Sequence, residues 1–400
     1  MKRGLVIFLM LLVGCKKEYS EALVELQKPP PIERVNKFTL QLEDTLQISL
    51  PKTIPNNLSL INTIFQDSIY YYKYGKNNFA KVNLVTATVD SVIIPSQLVT
   101  GNLRAICQIA PDTIVVSQDI PAKLFLVTKK ELTEINLPKL NFTTTNKTFE
   151  SLSQSIPEEE ANYLLDFKNL HYQKDKKLLH IGIQPIDAFF AEGFENSHRI
   201  GVFDLQSKKW VATYAAPEGI LKNRGNKTFG YGMSQKYMLL KNDTVFVNYR
   251  LDHFIYYYKN GTYLGKFLHT SRVSKDIYLP FEVAEMDDPE FLKQYKYATP
   301  KYGGFYYHKK LKLYSRLYFD EQDPIDENGR YKPGDLLRDI YAVFLNEKFE
   351  PVGEYKFPNG SIAYIGVAPQ PDGYLVFDIN ATDQTKYGLK YRYKIVPVTE

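Results

Sequence analysis

The amino-acid sequence predicts an all-β protein folded as a six-bladed β-propeller, and three observations support this prediction. Alternating or wholly apolar runs of about five to eight residues recur along the chain, separated by Asn, Asp, Gly and Pro. Helical periodicity is confined to short patches, residues 157–165 and 288–292, which are too short to cover a sheet. The strand runs also repeat, in units roughly 45–67 residues apart.

Each unit is predicted to form four short strands, the number in one blade of a propeller. One strand run from each unit is found at residues 80–84, 123–127, 178–183, 254–258, 340–344 and 373–377. The last unit supplies only three clear strands, whereas residues 38–50 form a strand run outside the early units. We therefore expect this N-terminal strand to complete the last blade and close the ring, which removes an exposed sheet edge. A seven-bladed propeller and a pair of β-sandwiches are the alternatives.

Composition excludes several classes of protein. The chain has 400 residues, of which 44% are hydrophobic, so it can build a large core and is not disordered. Its 50 basic and 45 acidic side chains are too balanced to indicate nucleic-acid binding. Two cysteines, Cys15 and Cys107, are too few for a disulfide scaffold or a multi-cysteine metal site.

Two tyrosine triplets, residues 70–72 and 256–258, offer aromatic surface. Adjacent residues on a strand point to opposite faces of the sheet, so a triplet cannot form a single stripe. We expect these rings to fill the wedge between neighbouring sheets rather than to stack on a ligand.

The first fifteen residues predict export. A basic start, residues 1–3, precedes an apolar run at residues 5–13, about half of the ~20 residues that span a bilayer. Leu12-Val13-Gly14-Cys15 then resembles the lipobox of bacterial lipoproteins. The resemblance implies that residues 1–14 are a signal peptide and that Cys15 is acylated, which gives stable membrane anchoring. An ordinary secretory signal that contains a cysteine is the alternative.

The resemblance also implies a location. Residues 15–37, with three consecutive prolines at 29–31, are expected to be a lipidated tether, and residues 38–400 the propeller domain. Lys16 is not the Asp that favours retention in the inner membrane, so we expect the outer membrane. Only Glu18 represents an acidic surface-export signal, which favours the periplasmic side over the cell surface.

Lipobox, tether and six irregular strand units together resemble the uncharacterised Bacteroidetes lipoproteins that carry a TolB-like six-bladed propeller domain. The resemblance covers the whole mature chain and depends on the strand pattern. It implies the fold and a cell-envelope location. It brings no catalytic residues, because that family has no established activity.

The sequence predicts no catalytic residue, metal ligand or cofactor. It contains no HExxH, no GxSxG and no metal-ligand spacing of Cys and His. Its six histidines are spread along the chain, so we expect that they could meet only at a ring axis. Residues 320–335 are rich in Asp and Glu, which suits Ca²⁺, but the alternating order of a calcium loop is absent. We interpret this segment as a solvated loop, with calcium binding as the alternative.

An Asp-Ser/Thr-aliphatic pattern occurs five times and resembles the O-glycosylation sequon of exported Bacteroidetes proteins. The candidate acceptors are Thr45, Ser68, Ser91, Thr113 and Thr244. A local explanation applies equally well: Asp closes a turn and the residues after it begin the next strand.

Long connections predict where a partner binds. Segments 139–162, 184–198, 271–295 and 318–338 all belong to one side of the predicted ring, whereas the turns of the other side are tight. Loops on a rigid scaffold carry binding residues. The candidate binding residues in or beside these segments are Phe189, Phe190, Phe194, His198, Tyr278, Phe281 and Asp326. Alternatively, these loops only cover the channel.

These observations predict a lipid-anchored, non-enzymatic propeller that binds another envelope protein, a peptide or a glycan. The alternative is an envelope enzyme, a lyase or hydrolase, with carboxylates or histidines gathered at the ring axis. A purely structural scaffold is a third reading. A propeller fold alone does not decide among them, because propellers support all three.

Overall fold

The computed structural model describes most of the chain from Asn36 to Val398. The described residues are 36–48, 59–66, 69–74, 78–93, 99–119, 121–128, 131–139, 163–185, 198–215, 227–228, 236–273, 281–282, 288–291, 295, 299–321, 327–329, 338–358, 362–370, 372–379 and 389–398. The predicted signal peptide, Cys15 and nearly all of the predicted tether lie outside them.

Two four-stranded antiparallel sheets come first, after an N-terminal strand β1 (Phe38–Gln47). Sheet I contains β2 (Ser59–Gln66), β3 (Ile69–Tyr74), β4 (Asn78–Asn83) and β5 (Thr88–Ile93). Sheet II contains β6 (Leu103–Ala110), β7 (Thr113–Gln118), β8 (Lys123–Thr128) and β9 (Leu132–Asn136). In each sheet the strands pair in chain order, because tight turns join antiparallel neighbours.

Two more sheets follow the same plan. Sheet III contains β10 (Tyr163–Gln173), β11 (Leu178–Pro185), β12 (His198–Asp204) and β13 (Lys209–Ala215). Sheet IV contains β15 (Lys236–Lys241), β16 (Thr244–Tyr249), β17 (Phe254–Lys259) and β18 (Thr262–Leu268). Two short strands, β14 (Lys227–Thr228) and β19 (Phe281–Glu282), pair with each other and belong to the connections before and after sheet IV.

The last part of the chain forms a larger sheet, sheet V, together with β1. Its strands are β20 (Lys301–His308), β21 (Leu313–Phe319), β22 (Ile340–Asn346), β23 (Pro351–Lys356), β24 (Ile362–Gln370), β25 (Tyr374–Ile379) and β26 (Leu389–Pro397). They are arranged in the order β20-β21-β22-β23-β1-β26-β25-β24, so β1 lies in the middle.

The prediction of a six-bladed propeller is therefore wrong, and the seven-bladed alternative is not what the described strands form. The structure is all-β and propeller-like, with four four-stranded sheets and one eight-stranded sheet. The first strands contact one another in a cycle, β2, β6, β10, β15, β20, β24 and back to β2. The departure comes from β1, which pairs with β26 along its length and also meets β23 at Phe38 and Gly353, and so merges the last two strand groups.

The core lies between the sheets, as the tyrosine triplets predicted. Tyr70 and Tyr72 pack with Val376 of sheet V, whereas Tyr71 packs towards sheet II. Between sheets IV and V, the ring of Phe246 lies against those of Phe305 and Tyr314, with centroid distances of 6.0 and 5.7 Å. Aromatic rings fill this wedge because they bury a large apolar area in rigid, well-defined geometry.

Helical structure is sparse among the described residues. Asp288 caps the one described helical turn, accepting hydrogen bonds from the amides of Glu290 and Phe291, as an N-cap does. Among the residues that the structure describes, no helix has the length and apolar composition needed to cross a bilayer.

The sheets have two different ends. Turns between first and second strands, and between third and fourth strands, lie at one end, which we call the turn end. Loops between second and third strands, and connections between sheets, lie at the other, which we call the connection end. Side chains link neighbouring turns: Lys176 pairs with Asp243, and Lys241 pairs with Glu347.

The N-terminal strand enters at the turn end. Phe38 lies opposite Pro397, and the amide of Ile395 donates to the carbonyl oxygen of Gly373 in the β24–β25 turn. The strand then runs towards the connection end, where Gln47 lies opposite Leu389.

A glycine permits this junction. A Cβ atom on Gly353 would overlap the backbone carbonyl oxygen of Phe38. The substitution Gly353→Ala must therefore displace β1 from β23. We expect it to lower the free energy of unfolding by at least about 2 kcal/mol, measured by denaturant titration.

Gly329→Ala is the matched control, because a Cβ there meets nothing within 4 Å and only the positive φ of 72° opposes it. Gly329→Ala should lower the free energy of unfolding by about 1 kcal/mol. If both variants lose the same free energy of unfolding, the close approach of Phe38 to Gly353 is not important for stability.

Candidate functional site

Five of the seven predicted binding residues lie outside the described part of the chain: Phe189, Phe190, Phe194, Tyr278 and Asp326. So do Cys15, the predicted site of acylation, and Ser68, a candidate glycosylation residue. The backbone positions of the other two binding residues are described. His198 begins β12 opposite Ala215, and Phe281 begins β19 opposite Thr228. Both positions belong to the connection end.

The candidate glycosylation residues occupy different environments. Thr113 and Thr244 are the first residues of β7 and β16 and are half-buried, in keeping with the local explanation of a turn that starts a strand. Thr45 is exposed within β1, opposite Tyr391, and Ser91 lies within β5, opposite Ala80. Only some copies of the motif therefore start a strand.

A buried polar cluster supports the connection end between sheets IV and V. We call it the Arg316 cluster, and its members are Asn248, Asp252, His253, Thr270, Tyr302 and Arg316. Strand β16 supplies Asn248, and the β16–β17 loop supplies Asp252 and His253. The other three come from the segment after β18 and from strands β20 and β21. All six side chains are buried, so their polar atoms depend on one another and on the backbone.

Arg316 holds the loops through their carbonyl oxygens. Its guanidinium donates to the backbone oxygens of His253 and His269 through one nitrogen, and to those of Tyr249 and Asp252 through the other. It also donates to the side-chain oxygen of Asn248. A guanidinium has five donors in a fixed fork, so a buried arginine can satisfy several carbonyl groups at once.

Two further contacts fix Arg316 in place. The guanidinium carbon lies 3.5 Å from the centroid of the Tyr302 ring, a cation–π contact. Asn248 donates its side-chain N–H to the carbonyl oxygen of Gly303 in β20. Burial lowers the pKa of Arg316 to about 10, so the side chain stays charged at neutral pH.

Asp252 is the carboxylate of the cluster. Its oxygens accept hydrogen bonds from the hydroxyl of Tyr256, at 2.6 Å, and from the amide of Phe254, at 2.9 Å. Burial raises the pKa of Asp252 to about 6, against the opposing effects of these bonds and of Arg316. Both carboxylate oxygens are engaged in holding the β16–β17 loop.

The remaining members form a hydroxyl network. Tyr302 shares hydrogen bonds with the Nδ1 atom of His253, at 2.6 Å, and with the hydroxyl of Thr270. His269, next to Thr270, contacts the carbonyl oxygen of Val343 through Nε2, at 3.1 Å. Burial and the nearby Arg316 charge hold the pKa of His269 well below its usual value, so it is neutral.

Buried charged side chains also bind backbone groups at other loops of the connection end. Arg338 donates to the carbonyl oxygens of Thr299 and Asp320, which brackets the loop between β21 and β22. In sheet II, Asp119 accepts from the amide of Asn102 and pairs with Arg104. Buried polar side chains thus fix the bases of several connections.

Among the residues that the structure describes, the histidines do not gather in one cluster, as the enzyme alternative would require. His171 and His180 are cross-strand partners within sheet III, and His253 and His269 belong to the loops of sheet IV. The described residues include no group of three His, Cys, Asp or Glu side chains that could hold a metal ion. Asp320, from the acidic segment, accepts hydrogen bonds from the hydroxyl of Tyr318 and from the amide of Glu321. The interpretation of this segment as a solvated loop, with calcium binding as the alternative, stays a prediction.

Sequence reasoning missed the Arg316 cluster, although one signal was present. Arg316 lies in a strand of mainly aliphatic and aromatic residues, Leu313–Phe319, in which every residue is buried. A charged residue in such a run needs buried partners. Those partners, Asn248 and Asp252, lie more than sixty residues earlier in the chain, and no local pattern identifies them.

Comparison with known proteins supports the fold. A member of the DUF4221 family from Bacteroides vulgatus is similar in structure, with a TM-score of 0.62 and 12% identity, over 91% of this chain and 100% of that one. At this identity the likeness shows the fold alone.

Two further structural similarities are weaker. The C-terminal WD40 domain of Sif2 has a TM-score of 0.41 and 7% identity, over 85% of this chain and 70% of that chain. Hydrazine synthase from Kuenenia stuttgartiensis has a TM-score of 0.43 and 11% identity, over 80% of this chain and 73% of that chain. Neither supports an argument. No family model matches the sequence, and no curated protein matches it.

Removing the guanidinium should loosen the connection end. Arg316→Met keeps a long side chain but leaves the carbonyl oxygens of the β16–β17 loop without a donor. We expect a loss of at least about 3 kcal/mol in the free energy of unfolding, measured by denaturant titration.

Arg392→Met is the control, because Arg392 binds the half-exposed Asp44 at the surface of sheet V. An exposed pair of this kind contributes about 0.2–1 kcal/mol. A loss at Arg316 no larger than that at Arg392 would show that the cluster does not hold the loops.

Two histidines predict the pH dependence of stability. Burial lowers the pKa of His171 to about 4, and burial together with the nearby charges of His171 and Lys176 lowers that of His180 to about 4. The unfolded chain therefore binds protons between pH 6.5 and 4 that the folded chain does not, so stability falls as pH falls through this range. Asp252 acts in the opposite direction, and it is a single group.

We expect the free energy of unfolding to decrease by about 2 kcal/mol or more from pH 6.5 to pH 4. The double variant His171→Gln/His180→Gln should show a smaller decrease. An unchanged slope in the double variant would show that other groups control acid unfolding.

Proposed function

We propose that this protein is a lipid-anchored binding scaffold of the cell envelope, whose connection end holds a protein, peptide or glycan. The proposal combines the export and lipidation signals of the sequence with the propeller-like fold. Scaffolds of this kind place variable loops on rigid strands, so that binding residues can differ without disturbing the core.

The observation that carries the proposal is the engagement of Arg316 with four loop carbonyls, those of Tyr249, Asp252, His253 and His269. A buried cation that binds backbone oxygens fixes the path of the chain, whatever side chains the loops present. Ordering the loop bases before a partner arrives reduces the entropy that binding costs. The cluster therefore suits a preformed binding surface.

The titratable groups support binding over catalysis. Asp252 is buried with both carboxylate oxygens hydrogen-bonded, and His253 and His269 are buried among backbone and tyrosine partners. A general acid or base must reach the proton that it transfers. In the described part of the chain, the groups with shifted pKa values in the cluster serve the loops instead.

Anchoring places the scaffold at the outer membrane. Acylation of Cys15 supplies more than the two lipid signals that stable membrane attachment requires. Lys16 after the cysteine favours the outer membrane over the inner membrane, and the incomplete acidic signal at Glu18 favours the periplasmic side. The partner is then another component of the envelope.

Substitution of the candidate binding residues tests the proposal. The variant Phe189→Ser/Phe190→Ser/Phe194→Ser/His198→Ser changes the β11–β12 connection at the connection end. We expect it to fold and to recover at least about tenfold less partner in an affinity pull-down from detergent-solubilised envelope, quantified by mass spectrometry.

A control variant removes exposed apolar side chains from the outer strands instead. Val211→Ser/Tyr263→Ser/Leu264→Ser changes residues of β13 and β18 that are about half exposed. This control should recover the partner as the wild type does. If the connection variant keeps the partner and the outer-strand variant loses it, the binding surface lies on the sheet edges and the proposal is wrong.

A further inference from the structure

The turn end carries a concentration of positive charge. Exposed lysines stand in the turns of sheets III, IV and V, and no described ion pair includes them: Lys174, Lys177, Lys208, Lys259, Lys312 and Lys348. The whole chain has a net charge of only +5, so this face is more basic than the composition suggests.

The acidic side chains of the same turns are largely engaged. Lys176 pairs with Asp243 at 2.8 Å, and Lys310 pairs with Asp372 at 2.5 Å. Glu347 accepts from both Lys241 and the hydroxyl of Tyr307.

Three other acidic residues belong to these turns. Asp204 accepts from Ser207 and from the amide of Gln206 within its own turn, and Glu350 accepts from Asn346. Asp175 is the remaining exposed acid of the β10–β11 turn. Asp204, Asp243 and Glu347 lie near enough to Lys177, Lys259 and Lys312 to offset part of their charge. The lysines of these turns nevertheless outnumber the acids that could neutralise them.

The turns form a continuous surface. The pair of Lys176 and Asp243 joins the turns of sheets III and IV, and the pair of Lys241 and Glu347 joins those of sheets IV and V. Within sheet V, Leu311 of one turn lies beside Gly373 of another. The lysines thus belong to one face rather than to isolated tips.

The chain that leads to the predicted lipid anchor leaves from this same face. Phe38, the first residue of β1, lies opposite Pro397 at the turn end, and the amide of Lys37 donates to the carbonyl oxygen of Val352. The twenty or so residues between Cys15 and Asn36 reach at most about 70 Å when extended. The turn end is therefore the part of the domain closest to the attachment point of the tether.

We infer that the turn end docks on the anionic lipid headgroups of the membrane that holds the acyl chains. The inference rests on the proposed anchoring and adds an orientation: lysines face the membrane and the connection end faces away from it. Clustered lysines near an anionic bilayer each strengthen attachment, and the effect depends on salt. The connection end is then free for a partner in the periplasm.

The test uses full-length Cys15→Ser protein, which has no acyl chains, and vesicles of phosphatidylglycerol and phosphatidylcholine. We expect it to bind these vesicles more tightly than pure phosphatidylcholine, in a salt-sensitive manner. Lys174→Glu/Lys348→Glu, added at the turn end, should weaken binding to the anionic vesicles at least about tenfold.

Lys139→Glu/Lys266→Glu is the matched control, because it makes the same charge change at exposed lysines away from the turn end. It should change binding less than twofold. Every variant keeps residues 1–14, so the apolar run contributes equally to all of them. Equal weakening by the two double variants, or no preference for anionic vesicles, would overturn the inference.

Cell fractionation in about 1 M salt separates this inference from the proposed anchoring, because such salt screens the lysines and leaves acyl chains inserted. Wild-type protein should stay with the membranes and Cys15→Ser protein should be released. Retention of both would contradict lipid anchoring, whatever the vesicles show. Release of Cys15→Ser with no vesicle preference would contradict only the docking of the turn end.

Discussion

The position of β1 between β23 and β26 is the constraint on which the architecture depends. It joins the first described residues to the last, through the antiparallel pairing of Phe38–Gln47 with Leu389–Pro397 and the contact of Phe38 with Gly353. Arg392 reinforces the pairing by binding Asp44. Without β1, β26 would expose unpaired backbone groups along an edge, and β23 would lose its contact with β1 at Gly353.

The same strand sets the two ends apart. Because β1 begins at the turn end, its first residue, Phe38, and the lysines of the turns share one face. The opposite end is built around buried charge: Arg316 and Arg338 each bind backbone carbonyl oxygens at the bases of loops. Charge is thus exposed where the proposed tether joins the domain and buried where the proposed partner binds. These two arrangements suit different surfaces.

Local patterns in the sequence predicted the parts of this structure that depend on neighbours in the chain. The strand runs, the short helical patch that begins at residue 288 and the burial of Tyr70, Tyr71 and Tyr72 follow from side-chain alternation and turn chemistry. The merging of two strand groups did not, because it depends on a contact between Phe38 and Gly353. The Arg316 cluster was missed for the same reason, since Asn248 and Arg316 are brought together only by packing of two sheets.

Native-state hydrogen exchange of the full-length protein tests the central role of β1 most directly. If β1 fastens sheet V, its amides from Thr39 to Leu46 should exchange with the same opening free energy and denaturant dependence as those of β25 and β26, as one cooperative unit. Exchange of β1 through a much less costly opening, while β25 and β26 stay fully protected, would contradict this account, because the sheet would then hold together without the strand.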